Sequence, residues 1–130
     1  MTDFEQRRSE MVRMHIQGRG IQSPQLLAAM RSVPREAFVS KDLAEFAYED
    51  SPLPIEAGQT ISQPFIVAEM IDAAAVGPGD RVLEIGAGSG YAAAVLSRLA
   101  REVIGVERHE ALVGLARDRL AQLGYDNVQL

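Results

Sequence analysis

The pattern of hydrophobic and polar positions divides the chain into two unequal parts. In residues 1–62 the apolar positions are irregular, and a helical repeat is clear only after Ser23-Pro24. Serine can cap the free amides of a first helical turn, and proline fits within that turn, so a helix is predicted to begin here and to end before Pro34. Its apolar face consists of Leu26, Leu27, Met30 and Val33.

The rest of the first part has weaker signals. Residues 4–17 are loosely helical and end at Gly18-Arg19-Gly20. Residues 48–63 are rich in turn signals, which include Pro52, Pro54 and Gly58, so we expect an ordered loop rather than a regular element. The arginines at positions 7, 8 and 13 are expected on a solvated face.

The second part, residues 63–130, changes to alternating helix and strand signals. A parallel sheet with right-handed crossovers is therefore predicted, in a Rossmann-like, doubly wound α/β fold. Such a sheet typically has about six strands, whereas the sequence stops at the start of the third. We therefore expect an N-terminal portion of a longer protein: a helical segment with an active-site loop (1–62) and the first part of a cofactor-binding domain (63–130). The expected elements are a helix from Pro64, a strand over 81–85, a glycine loop over 86–90, a helix over 91–100, a strand over 102–107, a helix over 109–123 and a strand beginning at 127.

Composition excludes several kinds of chemistry. The chain has 130 residues, no cysteine and only His15 and His109, so disulfides, thiolate chemistry and a histidine-based metal site are not expected. The chain has 13 basic and 18 acidic residues. The resulting net charge of -5 argues against nucleic-acid and anionic-membrane partners. No signal peptide or membrane-spanning stretch is evident, so the expected location is the cytoplasm.

The glycine loop is the first chemical signal. It reads Glu84-Ile-Gly86-Ala-Gly88-Ser-Gly90 between a predicted strand and a predicted helix. Glycines let a ligand approach the backbone, and the amides at a helix start favour an anionic group. Glu107 ends the next strand, where a carboxylate can accept hydrogen bonds from ribose hydroxyls. The sequence therefore indicates an adenosine-containing cofactor, with a glycine turn that binds no ligand as the alternative.

The spacing of the glycines indicates which cofactor. Dinucleotide sites use G-x-G-x-x-G, but here the third glycine comes one residue early and Tyr91 takes its place. An NAD-dependent oxidoreductase is therefore disfavoured. The E-x-G-x-G-x-G pattern resembles motif I of the class I methyltransferases, which bind S-adenosylmethionine.

A second motif is more specific. Residues 50–64, which contain Gly58-Gln-Thr-Ile-Ser62-Gln-Pro64, resemble the signature of protein-L-isoaspartate O-methyltransferases. Residues 11–21, 33–39 and 82–91 are also similar to that family. The resemblance implies methyl transfer from S-adenosylmethionine to the free carboxylate of L-isoaspartyl residues in damaged proteins or peptides, which is a protein-repair reaction. It also implies a protein or peptide substrate, and a monomer is the expectation for the complete enzyme.

The resemblance also implies roles for individual residues. Ser62 matches the catalytic serine, although a serine before Gln-Pro and an apolar helix is also a good helix cap. The expected cofactor-binding residues are Ile55, Gly58, Ser62, Glu84, Gly86, Gly88, Gly90 and Glu107; no metal ligands are expected.

One residue departs from the family pattern, which commonly has glycine where this chain has Glu56. Its negative charge is expected to alter the geometry of the loop, to repel a carboxylate substrate, or to point outward. Two alternative functions stay open: another class I methyltransferase with a small-molecule acceptor, which has no reason to carry residues 59–64, and a catalytically inactive cofactor-binding fragment.

Overall fold

The computed structural model describes residues 3–130, so the first two residues of the predicted segment 1–62 lie outside it. Short π- and 3-10-helical turns connect the regular elements of the N-terminal part. The helices are α1 (Asp3–Met11), α2 (Pro24–Ser32), α3 (Pro64–Ala74), α4 (Tyr91–Ser97) and α5 (Glu110–Gln122), and the strands are β1 (Leu53–Pro54), β2 (Thr60–Ile61), β3 (Arg81–Ile85), β4 (Glu102–Val106) and β5 (Val128–Gln129).

The α/β fold predicted from the second part is confirmed. Strands β3, β4 and β5 form a parallel sheet in that order, with α4 and α5 as the crossovers. Leu83 lies opposite Ile104, and Ile85 lies opposite Val106. Helix α4 is shorter than predicted and ends at Ser97. The carboxyl ends of β3 and β4 lie side by side, which is where ligands bind in sheets of this kind.

The first part contains one predicted cap and one unpredicted hairpin. The Ser23 hydroxyl accepts a hydrogen bond from the amide of Leu26 at 3.3 Å, as a helix cap should. Within the segment expected to be a loop, β1 pairs antiparallel with β2, so that Leu53 lies opposite Ile61. Strands of two residues are too short to show an alternating pattern, which explains why the sequence did not reveal them.

The expectation of a solvated face is wrong for Arg8. This side chain is buried, and its Nε donates to the Tyr48 hydroxyl at 2.7 Å. Glu36 completes the network: its carboxylate lies 3.4 Å from Arg8 Nη2 and accepts a hydrogen bond from Tyr48. A buried charge is tolerated when it is paired and hydrogen-bonded, and the partners here are distant in sequence.

Both parts of the chain share one hydrophobic core. Phe38 from the first part packs edge-on against Tyr91 from the second, with ring centroids 5.8 Å apart. The face of the sheet that carries Leu83, Ile85 and Val106 remains exposed, at 62%, 74% and 48% respectively. No helix within residues 3–130 is long and apolar enough to cross a membrane.

Candidate cofactor and active site

The glycine loop has a defined shape at the end of β3. The amides of Gly86 and Ala87 both donate to the Val106 carbonyl, at 2.7 and 3.1 Å, which joins the loop to β4. Gly86 and Gly88 have φ values of 82° and 55°, a region in which a side chain is unfavourable. A Cβ placed on Gly86 would point into open space, so this backbone is accessible to a ligand.

Glu107 supports the loop from the next strand. One carboxylate oxygen accepts a hydrogen bond from the Gly88 amide and the other accepts one from the His109 amide, both at 2.9 Å. Partial burial acts to raise the pKa of Glu107, but these amide hydrogen bonds outweigh it and keep the pKa below its usual range. A carboxylate has about four acceptor positions, so capacity for further donors remains.

The pKa of Glu84 is shifted upward, in the opposite direction to that of Glu107. Its side chain is mostly buried, and its Oε1 has no hydrogen-bond partner among the described residues. Burial, and secondarily the charge of Glu107, raise the pKa of Glu84 to about 8. The carboxyl group is therefore largely protonated near neutral pH, and it has an unused polar atom inside the site.

A cavity of about 420 Å³ joins the glycine loop to the hairpin and helix α3. It brings together four predicted site residues, Ser62, Glu84, Gly86 and Gly88. Apolar side chains from α3 and β3 form its other walls.

The structure does not use Ser62 as a helix cap. Gln63 occupies the N-cap position of α3, without a side-chain cap hydrogen bond. Ser62 is exposed, and its hydroxyl has no hydrogen bond to any described residue. The hydroxyl is therefore available to a ligand in the cavity.

The other four predicted residues lie outside the cavity lining: Glu107, described above, and Ile55, Gly58 and Gly90. Ile55 lies beside the glycine loop, since its Cδ1 would be 3.7 Å from a Cβ added to Gly88. Gly58 adopts a left-handed turn with φ 67°. Gly90 faces helix α5, where an added Cβ would lie 3.2 Å from the Cβ of Ala116, so its lack of a side chain serves packing. Their contacts with a cofactor stay predictions.

Glu56 neither points outward nor leaves an uncompensated charge. Its Oε2 lies 3.5 Å from Nη2 of Arg119 on α5. The negative charge beside the loop is therefore balanced by a cation from the same molecule.

Sequence reasoning missed Arg35, which lies behind the site. Its side chain is fully buried, its Nε donates to the Ala47 carbonyl at 2.7 Å and its Nη2 donates to the Ser62 carbonyl at 2.9 Å. The guanidinium also lies over the ring of Tyr91, 4.9 Å from its centroid. Nothing in the local sequence signals this burial, because the partners lie elsewhere in the chain.

The residues fit an adenosyl cofactor. A backbone cradle opens into the cavity at Gly86, a buried carboxyl oxygen of Glu84 lacks a partner, and Glu107 has acceptor positions to spare. Among residues 3–130, no three His, Asp or Glu side chains are placed to hold a metal ion.

The fold and the site define the class of protein. A parallel sheet with a glycine loop after one strand, an acidic residue after the next and preceding helices is the architecture of the α/β methyltransferases. Residues 6–130 match the family described as Protein-L-isoaspartate(D-aspartate) O-methyltransferase (PCMT), and the chain belongs to that family.

Relatives with closely similar sequences carry the same description. The chain is 60% identical over 126 residues to Protein-L-isoaspartate O-methyltransferase 2 of Pelobacter propionicus, covering 97% of this chain and 56% of that protein. It is 57% identical over 129 residues to Protein-L-isoaspartate O-methyltransferase 1 of Rhodopseudomonas palustris strain HaA2, covering 99% and 53%. The chain thus spans about half the length of the curated relatives it matches.

Solved structures agree with the family assignment. A protein-L-isoaspartate O-methyltransferase superposes with a TM-score of 0.84 at 32% identity, covering 93% of this chain and 40% of that one. A Plasmodium falciparum beta-aspartate methyltransferase (PCMT), solved in complex with S-adenosyl-L-homocysteine, gives a TM-score of 0.78 at 25% identity, covering 94% and 61%.

Proposed function

We propose that this chain forms the cofactor-binding and serine-bearing part of an enzyme that methylates L-isoaspartyl residues in damaged proteins or peptides. The observation that supports this proposal most is a cavity whose lining includes Ser62, Glu84 and the glycine loop. Family membership and the close relatives support the same reaction.

The cofactor in this proposal is S-adenosylmethionine, which supplies an electrophilic methyl group when it is bound. Gly86 and Gly88 offer a backbone surface without side chains, and Glu107 offers acceptor positions suited to ribose hydroxyls. The unpartnered oxygen of Glu84 offers a further polar contact inside the cavity. Ile55, Gly58 and Gly90 complete the proposed cofactor-binding set, Ile55 through its position against Gly88.

Ser62 is the proposed catalytic residue. The nucleophile would be the substrate carboxylate, which is ionised at neutral pH because free carboxyl groups titrate near pH 3–4. No general base is required, so the lack of a cysteine or a histidine cluster is no obstacle. The Ser62 hydroxyl can donate to one carboxylate oxygen and aim the other at the methyl carbon. Such placement can contribute roughly 7–11 kcal/mol.

The direct test is methyl transfer from labelled cofactor to an isoaspartyl peptide and to its normal aspartyl twin. We expect the labelled methyl group to appear on the isoaspartyl peptide alone. Equal labelling of both peptides, or none, would contradict it for this chain. Calorimetry with S-adenosylhomocysteine separates a fragment that binds cofactor but does not transfer methyl from one that binds nothing.

A Ser62→Ala variant tests the catalytic assignment. We expect it to bind S-adenosylhomocysteine and to lose methyl transfer, while Ser40→Ala, which changes a serine outside the cavity lining, retains both. A Ser62→Ala variant with the full rate would remove Ser62 from the mechanism.

The remaining parts of the proposal concern organisation and setting. Residues 1–62 would supply the active-site loop and residues 63–130 the first part of the cofactor-binding domain. The setting would be the cytoplasm, with isoaspartyl proteins or peptides as the partners of a monomeric complete enzyme, and without a nucleic acid or a membrane.

A further inference from the structure

The loop Ile55–Gly58 is held in a conformation that it would not favour alone. Ala57 has φ 60° and ψ 27°, and Gly58 follows with φ 67°. The left-handed region is unfavourable for a residue with a Cβ, so contacts elsewhere must keep Ala57 in this shape. The loop also lies against the proposed cofactor site, because Ile55 Cδ1 is 3.7 Å from a Cβ position on Gly88.

One side chain touches both this loop and the glycine loop. Arg119 extends from α5, and only 13% of its side chain is exposed. Its Nη2 lies 3.5 Å from Glu56 Oε2, while its Nη1 donates to the Ser89 carbonyl at 3.4 Å. A single guanidinium therefore connects the Ile55–Gly58 loop to the glycine loop.

We propose that the Glu56–Arg119 ion pair is a clasp that holds the Ile55–Gly58 loop against the glycine loop. Glu56 and Arg119 are then positioning residues for the adenosyl cofactor: they act through the loop and need not touch the ligand. The cofactor role rests on the proposed function. The clasp itself rests on the contacts of this chain.

The clasp has a kinetic consequence. For the loop to lift from Gly88, the carboxylate and the guanidinium must separate, and Arg119 would be left partly buried without its anionic partner. Loss of either charge should make opening more frequent and let a bound adenosyl ligand leave faster. High salt should act in the same direction, because mobile ions weaken attraction between partly exposed charges.

Hydrogen exchange tests the clasp without any ligand. The Ile55 amide donates to the Gln59 carbonyl at 2.8 Å, and the Gln59 amide donates to the Glu56 carbonyl at 3.3 Å, so both amides report on the loop. We expect Glu56→Gln and Arg119→Met each to increase exchange at these amides by about two- to fivefold, the upper part of the range for exposed ion pairs, because Glu56 is 35% exposed but Arg119 only 13%. The double variant should exceed neither single variant by much, because each substitution already breaks the pair.

Ligand dissociation is the second measurement. S-adenosylhomocysteine should dissociate about two- to fivefold faster from both single variants, and by a smaller factor from the unaltered chain in about 0.5 M salt, because a partly buried pair is screened less. Glu69→Gln and Arg101→Met remove exposed charges that lie outside the two loops and outside the cavity lining, so they serve as matched controls and should change neither rate.

The two measurements separate failure of the clasp from failure of the proposed function. Unchanged exchange at Ile55 and Gln59 in both single variants overturns the clasp, as does a double variant whose effect is the product of the single effects. Absence of S-adenosylhomocysteine binding to the unaltered chain counts against the proposed function, while exchange still decides the clasp. Altered exchange with unchanged ligand dissociation would overturn the positioning role.

Discussion

Arg35 holds the backbone of Ser62 through a hydrogen bond of 2.9 Å from Nη2 to the carbonyl oxygen. The same guanidinium donates to Ala47 and lies over Tyr91, so three separate segments converge on one buried cation. Burial lowers the pKa of Arg35, yet an arginine side chain stays charged in proteins. The backbone position of Ser62 therefore depends on a side chain 27 residues earlier in the chain.

An Arg35→Met variant should lose roughly 2–5 kcal/mol of unfolding free energy, because two carbonyls lose charged donors in the interior. Arg35→Lys should recover part of the loss, since it retains the charge but not the fork of donors. Urea denaturation measures both values. Arg101→Met, at an exposed position, is the control; an Arg35→Met stability equal to that of the control would show that the buried contacts contribute nothing.

Glu84 should make the stability of the protein depend on pH. Its pKa is raised to about 8 in the folded state, mainly by burial, from a model-peptide value near 4.3 in the unfolded chain. The folded state therefore holds more protons than the unfolded state between these values, and unfolding free energy contributed by Glu84 falls as the pH rises.

We expect the unfolding free energy of Glu84→Gln to rise relative to the unaltered chain between about pH 5 and pH 8, by a few kcal/mol. Glu69→Gln, which changes an exposed carboxylate, should show no such trend. Urea titrations at several pH values measure the difference. A constant difference across this range would mean that Glu84 titrates as it does in the unfolded chain.

Two glycines of the loop should respond differently to alanine. Gly86 and Gly90 both have positive φ, at 82° and 93°, so either substitution costs about 1–2 kcal/mol in backbone strain. At Gly90 the new methyl group also meets Ala116 at 3.2 Å, which adds overpacking of about 1–3 kcal/mol. At Gly86 it enters open space, where the cofactor is proposed to lie.

Gly86→Ala should therefore mainly weaken S-adenosylhomocysteine binding, and Gly90→Ala should mainly lower the melting temperature. Calorimetry and thermal unfolding of the two variants separate these effects. Ligand binding by Gly86→Ala at the unaltered affinity would place the cofactor elsewhere.

The exposed face of the sheet should make the chain self-associate. Leu83 and Ile85 point to the same side of β3 and are 62% and 74% exposed. Contiguous exposed apolar side chains favour association. A Leu83→Thr/Ile85→Thr variant has β-branched side chains suited to a strand at both positions and should sediment as a smaller species at high concentration. Unaltered sedimentation would show that other surfaces drive association.

Particular residues show how far the sequence could predict this molecule. The strands β3 and β4 and the glycine loop can be predicted because their signals are local. A short apolar run predicts each strand, and the neighbouring turn residues predict where it ends. The hairpin that positions Ser62 has strands of two residues, which leave no repeat to detect.

Long-range pairing explains the remaining differences. Arg8 and Arg35 are buried because Tyr48, Glu36 and the backbone near Ser62 compensate them, and these partners come together only in the fold. The same holds for Glu56, whose charge could be interpreted only once α5 had placed Arg119 beside it. Motifs predicted the proposed ligand-facing residues, whereas the residues that support them became apparent only in the folded structure.

The hydrogen bonds of Glu107 have a thermodynamic consequence. Because its carboxylate already holds the amides of Gly88 and His109, the glycine loop has its shape before any ligand arrives. Binding then needs little ordering of the backbone, so the entropy of association carries only a small conformational penalty. A Glu107→Gln chain can hold at most one of these amides through its side-chain oxygen and would have to organise the loop anew at each encounter.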